Sequence, residues 1–427
     1  MGDHPLDAPP ELLRVATAGS VDDGKSTLIG RLLHDSKSIL EDQLEAVQRT
    51  SVERGDGRLD LALLTDGLRA EREQGITIDV AYRFFATSQR SFILADTPGH
   101  VRYTRNMVTG ASTADLALVL IDARQGVLEQ SRRHAFIASL LRVTHVVAVV
   151  NKMDLVDFDE DTFLRLADDF RAFARRMGAD DVDAIPVSAL LGDNVVVRSE
   201  HTPWYEGATL LSHLERLHVA SDRNFVDVRF PVQYVVRPQS KEVLDYRGYA
   251  GTVASGVLKA GDLVRALPSG LESTIASIET ADGPVDEAYP PMSVTVRLTD
   301  DIDLSRGDML CRPHNSPQVA QDIDAQVCWM DESAPLTVGR KYHIKHTTRW
   351  ARVLVKAIDY RIDVNTLHRD EDATELSLNE IGRIQMRATQ PLFIDPYLQN
   401  RATGAFILVD EASNKTVAAG MIGRLPG

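Results

Sequence analysis

The N-terminal half of the chain contains five short apolar runs, each followed directly by polar or glycine-rich residues. Continuous apolar runs of this length are typical of strands buried on both faces of a parallel sheet. The segment after the first run, Thr27–Leu33, has the pattern of a helix. These elements predict an open, mostly parallel α/β sheet. The five runs are Leu13–Ala18, Ser91–Ala95, Leu116–Ile121, His145–Val150 and Asp183–Val187.

The hydrophobic pattern changes after about Ala220. From Val226 to Val236, apolar residues occupy alternate positions, which predicts a β-strand with one buried face. Turn-forming residues at Gly248–Gly261 and Ala266–Gly270 then separate short strands. This pattern predicts a small antiparallel β-barrel over about residues 224–313.

A second antiparallel β-barrel is predicted from the strands that resume after Pro317 and end in a hairpin turning at Ser413–Lys415. The predicted fold is therefore an α/β domain with a mostly parallel sheet, followed by two small antiparallel β-barrels. The predicted domain ranges are 1–220, 224–315 and 318–427.

A phosphate-binding loop is predicted between the first apolar run and its helix. Two glycines five positions apart, followed by Lys and Ser, fit the phosphate-loop pattern. The glycines let successive N–H groups point at an anion, and the helix N-terminus adds its positive dipole end. Lys25 is expected to reach the β- and γ-phosphates of a nucleotide. The alternative is a glycine-rich turn with a solvated lysine, which the flanking strand and helix disfavour. The predicted contacts are Gly19, Ser20, Val21, Asp22, Asp23, Gly24, Lys25, Ser26 and Thr27.

Three oxygen-bearing residues are candidates for holding Mg²⁺. The Ser26 hydroxyl can fill one coordination position, and the Thr77 hydroxyl can close on the metal and the γ-phosphate. Asp96 follows an apolar strand, where a carboxylate suits a water-mediated contact with the metal. Taken alone, Thr77 is better explained as an ordinary β-branched strand residue.

The segment Asp96-Thr97-Pro98-Gly99-His100 is a candidate γ-phosphate sensor. The Gly99 N–H can contact the γ-phosphate. His100 stands where a group that orients the attacking water is needed, although a lone histidine is more often a surface or packing residue. Lys25, Thr77 and His100 are the predicted catalytic residues.

A guanine-binding loop is predicted after the fourth apolar run, at Asn151-Lys152-Met153-Asp154. The Asp154 carboxylate can accept hydrogen bonds from both N1–H and the 2-amino group of guanine, whereas adenine has no such pair of donors. Asn151 and Lys152 are expected to brace the loop and pack on the ring. The backbone of Ser188-Ala189-Leu190, after the fifth run, can contact the guanine carbonyl oxygen. The predicted nucleotide is GTP, so the α/β domain before the two β-barrels is predicted to be a phosphate-loop (P-loop) GTPase domain.

Composition narrows the class of protein. The chain has 427 residues, a net charge of −15 and 44% hydrophobic residues, which suits about three domains with sizeable cores. The acidic balance argues against a dedicated nucleic-acid binder, because phosphate contacts need a basic surface. Cys311 and Cys328 have neither metal-site spacing nor disulfide density, so we expect buried free thiols in a reducing compartment.

We expect a cytoplasmic protein that makes no membrane contact. Met1–Pro10 is polar, unlike a signal peptide, and no stretch has the ~18 apolar residues of a membrane-spanning helix. The long polar segment Asp35–Gly75 is predicted to be a mobile lid. It contains a predicted helix at Glu41–Thr50 and a glycine-containing patch at Glu53–Gly57.

With its phosphate loop, guanine loop and two β-barrels, the chain resembles translation-factor GTPases over nearly its whole length. Within that superfamily it is most similar to the large, GTP-hydrolysing subunit of bacterial sulfate adenylyltransferase. Asp23 and Ser26 set it apart from the elongation factors it resembles, which usually carry His and Thr there. The segments that carry the closer match are Gly19–Leu33, Thr65–Tyr82, Ala95–His100 and Tyr103–Met107.

This resemblance implies a coupled reaction with a partner. In that family a smaller, ATP-binding subunit joins sulfate to ATP, giving adenosine 5′-phosphosulfate and pyrophosphate, and GTP hydrolysis drives this uphill step. We therefore expect Mg²⁺ and GTP/GDP as ligands, a heterodimer or higher assembly with the smaller subunit, and no nucleic acid. The alternatives are a translation factor that carries charged tRNA and a stand-alone GTP switch. Some relatives continue into an adenylylsulfate kinase domain, which is either absent here or lies beyond the sequence.

Overall fold

The structure is a computed structural model that describes residues 12–39, 45, 47, 61–64, 77–177, 182–219, 224–238 and 246–423. The first compact unit runs to Val219 and includes Val364–Leu367, and the remaining residues form a second. The helix predicted at Glu41–Thr50 lies outside the described residues except for Glu45 and Val47, which are helical. The patch Glu53–Gly57, the segment Met1–Pro10 and residues 65–76 also lie outside.

The first unit is built on a six-stranded sheet with the order β2-β3-β1-β4-β5-β6. All neighbouring strands are parallel except β2 and β3, which are antiparallel. The five predicted apolar runs are confirmed as its five parallel strands. The strands are β1 (Leu12–Ala18), β2 (Ala81–Ala86), β3 (Ser91–Asp96), β4 (Leu116–Asp122), β5 (His145–Asn151) and β6 (Asp183–Pro186).

Five α-helices and three short 3-10 helices accompany this sheet among the described residues. The apolar side of α1, including Leu28, Ile29 and Leu32, packs with the strands in one buried cluster. None of the described helices is long and apolar enough to cross a membrane. The α-helices are α1 (Lys25–Asp35), α2 (Thr104–Ala111), α3 (Glu129–Leu140), α4 (Glu160–Arg176) and α5 (Leu210–Arg216), and the 3-10 helices are Leu61–Leu64, Val101–Tyr103 and Met153–Val156.

The parallel strands bring the predicted functional loops to one edge of the sheet. β1 leads into the phosphate loop, β3 ends at Asp96, and β5 ends at Asn151, which lies in register with Asp122 at the end of β4. Because parallel strands share their carboxyl edge, these residues lie along one edge of the sheet although they are far apart in sequence.

The second unit contains a first closed barrel, in which β10, β15, β7, β8, β14 and β11 form a ring that β11 and β10 close. Strand β12 extends it at β11, and β9 pairs separately with β13. The strands are β7 (Arg229–Val236), β8 (Gly248–Thr252), β9 (Leu258–Lys259), β10 (Leu263–Leu267), β11 (Glu272–Thr280), β12 (Gly283–Val285), β13 (Glu287–Ala288), β14 (Ser293–Leu298) and β15 (Met309–Cys311).

A second closed barrel follows, in which β18, β23, β24, β16, β22 and β19 form a ring that β19 and β18 close. The predicted fold class, an α/β domain followed by antiparallel barrels, is confirmed. The strands are β16 (Gln318–Trp329), β17 (Leu336–Thr337), β18 (Lys341–His346), β19 (Arg349–Ile362), β20 (Arg369–Asp370), β21 (Glu375–Leu376), β22 (Ile381–Ile394), β23 (Ala405–Val409) and β24 (Thr416–Ile422), with a one-turn helix α6 (Arg401–Gly404) before β23.

A buried ion pair joins the two barrels. Arg229 of β7 is 1% exposed and donates from Nε to Asp395 Oδ2 at 2.8 Å. Thr403 also donates to this carboxylate, at 2.6 Å. A buried charge needs such partners to offset its desolvation. The pair therefore ties the barrels together within the second unit.

Two sequence expectations for the first barrel were wrong in detail. The strand predicted from Val226 begins at Arg229, and Val226, which precedes it, is 71% exposed. A bulge after Val232 interrupts the alternation, so that Tyr234 is 67% exposed. The glycines at the start of the segment predicted as turns, Gly248–Gly261, belong to β8. At Gly251 a Cβ atom would lie 2.5 Å from the carbonyl oxygen of Pro231, so this glycine permits close strand packing.

Both cysteines are buried free thiols, as expected from the sequence. Cys311 lies in β15 and Cys328 in β16.

Candidate nucleotide-binding site

The phosphate loop turns between β1 and α1 through backbone conformations that require glycine. Gly19 has a φ of 138° and Gly24 a φ of 91°, and Gly24 is the N-cap of α1. A Cβ atom on Gly24 would lie 2.4 Å from Asn151 Nδ2, so there is also no room for a larger residue. The loop thereby brings its amides and the N-terminus of α1 together, the arrangement that binds phosphate.

Lys25 lies across this loop and is only 6% exposed. Its ammonium donates to the carbonyl oxygen of Ser20 at 2.7 Å and to that of Gly19 at 3.3 Å. Burial lowers the pKa of Lys25, and the nearby carboxylates of Asp23 and Asp96 oppose this effect. A Cβ atom on Gly99 would lie 2.5 Å from Lys25 Nζ, so the γ-phosphate sensor predicted from the sequence packs directly against the lysine.

The three candidate metal contacts come together beside Lys25. Ser26 Oγ donates to Asp96 Oδ2 at 2.8 Å and lies 3.4 Å from Thr77 Oγ1. Thr17 donates to the other carboxylate oxygen of Asp96 at 3.3 Å and so fixes its orientation. Hydroxyl and carboxylate oxygens are the ligands that Mg²⁺ prefers, with water completing its shell. This cluster fits a magnesium ion.

His100 follows Gly99, and a backbone N–H two residues further on holds its side chain. Its Nδ1 accepts a hydrogen bond from the N–H of Arg102 at 3.2 Å, and its ring lies against Tyr103 with centroids 5.8 Å apart. In a neutral imidazole whose Nδ1 accepts, the proton is on Nε2. Nε2 of His100 is therefore a hydrogen-bond donor.

The predicted guanine loops are tied to the phosphate loop by Asn151. Its Nδ2 donates to the Asp23 carbonyl at 2.8 Å, and its Oδ1 accepts from the Ala189 N–H at 3.0 Å. Lys152 donates to the carbonyl oxygen of Asp22. One asparagine thus fixes the spacing between the phosphate loop and the loop after β6.

Asp154 is oriented by the neighbouring loop, because Ser188 Oγ donates to its Oδ1 at 2.6 Å. Arg31 of α1 donates from Nε to the Ala189 carbonyl at 3.1 Å and also binds the Leu190 carbonyl. These contacts hold the three-residue segment that was expected to face the base.

The remaining predicted residues vary in exposure. Met153 is fully buried, and Thr97 is likewise buried, with its hydroxyl bonded to the Thr17 carbonyl. Pro98 is buried, Val21 and Thr27 are partly buried, and Asp22 is exposed.

Sequence reasoning gave no role to Asp122, which is fully buried at the end of β4. Burial alone would raise the pKa of its carboxyl, but hydrogen bonds from Arg124 and Lys152 hold it well below its usual range. Arg124 Nη2 lies 2.7 Å and Lys152 Nζ 3.0 Å from Asp122 Oδ2. Asp122 thus anchors the lysine of the guanine loop. The signal available in the sequence was an acid at the carboxyl end of an apolar strand.

Two side chains of helix α3 also contact the phosphate loop. Neither contact was indicated by the sequence. His134 Nδ1 accepts the Gly19 N–H at 3.1 Å, and Ser131 Oγ donates to Asp23 Oδ2 at 3.4 Å. His134 is fully buried, and burial, followed by the charges of Lys25 and Arg133, lowers its pKa to about 3. The imidazole is neutral, as an Nδ1 acceptor must be.

We expect His134→Asn to reduce the loss of stability in acid. An unfolded histidine has a pKa near 6.5 and the folded one near 3, so below pH 6.5 only the unfolded chain takes up this proton, and stability is lost as the pH falls. The loss is roughly 2 kcal/mol by pH 5. Asn keeps an acceptor for Gly19 without titrating. Urea unfolding at pH 7.5 and 5.0 measures the difference, with the exposed His314→Asn as control. An equal acid loss in wild type and His134→Asn would contradict the assignment.

Comparison with known proteins agrees with this site. Residues 10–246 match the family model described as the elongation factor Tu GTP binding domain, and residues 322–423 match that of the GTP-eEF1A C-terminal domain-like family. The first match spans more than half of the chain.

Curated relatives resemble the chain over nearly all of its length. It is 62% identical to the bifunctional enzyme CysN/CysC of Mycobacterium tuberculosis, over 96% of this chain and 67% of that protein. It is 55% identical to sulfate adenylyltransferase subunit 1 of Bacteroides fragilis and 55% identical to that of Cellvibrio japonicus, in each case over 96% of this chain and 86% of the relative. The chain therefore belongs to the CysN family of sulfate adenylyltransferase subunit 1, within the GTPases that share the elongation factor Tu GTP-binding domain.

Proposed function

We propose that this chain is the GTP-hydrolysing subunit of a sulfate adenylyltransferase, in which GTP hydrolysis drives the synthesis of adenosine 5′-phosphosulfate from ATP and sulfate on a partner subunit. The observation that carries this proposal is the meeting of Lys25 with the oxygens of Ser26, Thr77 and Asp96 at the phosphate loop. In a member of this family, such a cluster has the groups needed to bind and hydrolyse GTP.

Each group at the phosphate end has a separate task in this proposal. The loop amides and Lys25 neutralise the β- and γ-phosphates. Ser26, Thr77 and Asp96 would hold Mg²⁺, which supplies charge neutralisation at the transferring phosphoryl group. Gly99 lies next to the Lys25 ammonium, since a Cβ atom on it would be 2.5 Å from Nζ, and its N–H would contact the γ-phosphate.

His100 orients the attacking water by donating from Nε2, since its Nδ1 is occupied by the Arg102 N–H. A donor of this kind fixes the water without removing its proton. The residue thus acts through position and electrostatics, which supply most of the catalysis in phosphoryl transfer.

Guanine recognition rests on Asp154, whose carboxylate is turned by Ser188 so that it can accept from N1–H and the 2-amino group of the base. The backbone of Ala189 and Leu190 is held by Arg31 beside the expected position of the guanine carbonyl. Asn151 and Lys152 keep the loops at the correct spacing. Adenine offers the Asp154 carboxylate no such pair of donors, which disfavours ATP at this site.

We infer that the partner is a smaller subunit with its own ATP site, because relatives at 55% identity are named subunit 1. The switch elements around Thr77 and Gly99 are the parts whose position depends on the γ-phosphate, and a partner that contacts them would sense GTP.

Two buried free thiols are consistent with the cytoplasm, where ATP and GTP are available. The names of the relatives favour this function over a translation factor.

The purified chain, supplied with ATP, sulfate, GTP and Mg²⁺, should form no adenosine 5′-phosphosulfate. Its sequence has one phosphate loop, and the neighbouring base loop is built for guanine. Chromatography of products from radiolabelled sulfate provides the measurement. Synthesis by the single chain would mean that the division of labour proposed here is wrong.

A further inference from the structure

Asp23 is a buried acid inside the phosphate loop. The residue is only 1% exposed. Its Oδ2 accepts hydrogen bonds from the Ser20 N–H at 2.5 Å and from the Ser131 hydroxyl at 3.4 Å. A Cβ atom on Gly19 would lie 2.8 Å from the same oxygen, so the loop closes tightly around the carboxylate. A negative charge therefore lies within the loop proposed to receive another anion.

Charged groups face Asp23 from three elements. Lys25 of α1 and Lys152 after β5 favour the ionised carboxylate, whereas Asp122 at the end of β4 disfavours it. From α3 the contact is the uncharged Ser131, and His134, which binds Gly19 on the same helix, is neutral. Burial is the largest effect and raises the pKa of Asp23 to about 6, with Lys25 as its main opponent.

A bound nucleotide changes this balance. Its phosphates would use the loop amides and Lys25, the same groups that favour the ionised form of Asp23. Two anions that share one cation in a buried site disfavour each other, so the weaker acid becomes protonated. A carboxyl that titrates only slightly below neutrality without a phosphate needs a small further shift to be protonated at pH 7.

We propose that Asp23 is a positioning residue whose protonation is coupled to nucleotide binding: its carboxylate is ionised while it holds the Ser20 amide, and it takes up one proton from solvent when phosphates bind beside Lys25. The proposal rests on the GTP site proposed above. The neutral carboxyl keeps an oxygen for the Ser20 N–H, so the loop geometry is retained while the charge conflict is removed.

This proton uptake makes nucleotide affinity depend on pH with a defined sign. Between the pKa of Asp23 in the free chain and its higher value in the complex, binding takes up a proton, so affinity falls as the pH rises through this range. As the pH falls towards about 6, nucleotide affinity should rise by up to about tenfold for each pH unit. Near pH 6 the carboxyl is already half protonated without nucleotide, so the affinity should level off below that value.

The test is calorimetric titration of the full chain with GDP and Mg²⁺ at pH 6 to 8.5, in two buffers of different ionisation enthalpy. GDP itself titrates in this range, so the readout is the difference between wild type and the isosteric Asp23→Asn. Wild type should take up as much as one more proton than the variant near pH 7. The variant should bind at least severalfold more tightly at pH 8, with the two affinities converging near pH 6.

Two further variants keep the test decisive. Ser131→Ala removes a donor to the ionised carboxylate and should move the pH dependence of wild type to higher pH, even if Asp23→Asn folds poorly. The exposed Asp161→Asn should behave as wild type. Equal proton uptake in wild type and Asp23→Asn, or an unmoved profile in Ser131→Ala, would overturn the proposal. Absence of any guanine-nucleotide binding to wild type would instead refute the proposed function.

Discussion

Replacing Asp154 with Asn should convert the chain from a GTP-binding to a xanthosine triphosphate-binding protein. The amide supplies an N–H₂ group that opposes the 2-amino group of guanine and pairs with the 2-oxo group of xanthine. Loss of a charge-assisted pair in a partly buried site, together with an unpaired donor, should cost GTP roughly 100-fold in affinity. Competition between the two nucleotides for the purified variant measures this change.

The geometry around Asp154 makes this substitution informative. Ser188 donates to Oδ1 at 2.6 Å, and an Asn side chain retains an oxygen that can accept this bond, so the loop should keep its shape. Asp161→Asn, on exposed helix α4, removes the same charge away from the site and should leave the preference for GTP unchanged. An undiminished preference for GTP in Asp154→Asn would mean that the base binds elsewhere.

Removing the side chain of His100 should slow GTP hydrolysis by roughly 10²-fold while leaving GTP affinity nearly intact. Such a pattern identifies an interaction made only in the transition state. Lys25→Ala should instead weaken binding itself, because we expect the ammonium to contact the phosphates in both the ground state and the transition state. Single-turnover hydrolysis and equilibrium nucleotide binding separate the two effects.

The orientation of His100 allows a sharper comparison. Because Nδ1 is occupied by the Arg102 N–H, the proposed role needs only a donor at the position of Nε2. His100→Gln supplies an amide donor of similar reach and should retain more activity than His100→Ala. If the Ala and Gln variants are equally slow, the donor role is wrong. If His100→Ala loses as much affinity as Lys25→Ala, His100 is a binding residue.

The sheet and the nucleotide loops could be predicted from the sequence because their signals are local. Each parallel strand is a continuous apolar run, and the residues from Gly19 to Ser26 carry their own turn and helix-start chemistry. The shared carboxyl edge of the strands then places Asp96 and Asn151 along the same edge of the sheet. The motifs themselves did not require knowledge of tertiary contacts.

The support of the phosphate loop could not be predicted in the same way. Ser131 and His134 lie more than a hundred residues from the loop, on a helix whose pattern gives no sign of what they contact. In the first barrel, the bulge after Val232 changes which side chains are buried, so the alternation in the sequence placed Tyr234 on the wrong face. Tertiary packing decided both features.

The central claim, that GTP hydrolysis on this chain drives sulfate activation on a partner, is tested most directly by measuring both reactions in one mixture. This chain, the smaller subunit, ATP, GTP and Mg²⁺ are combined, and sulfate is added while phosphate release from GTP and formation of adenosine 5′-phosphosulfate are followed. We predict that sulfate raises GTP turnover and that product formation falls sharply with Lys25→Ala or Thr77→Ala. GTP turnover indifferent to sulfate and partner, or undiminished product formation with these variants, would contradict the claim.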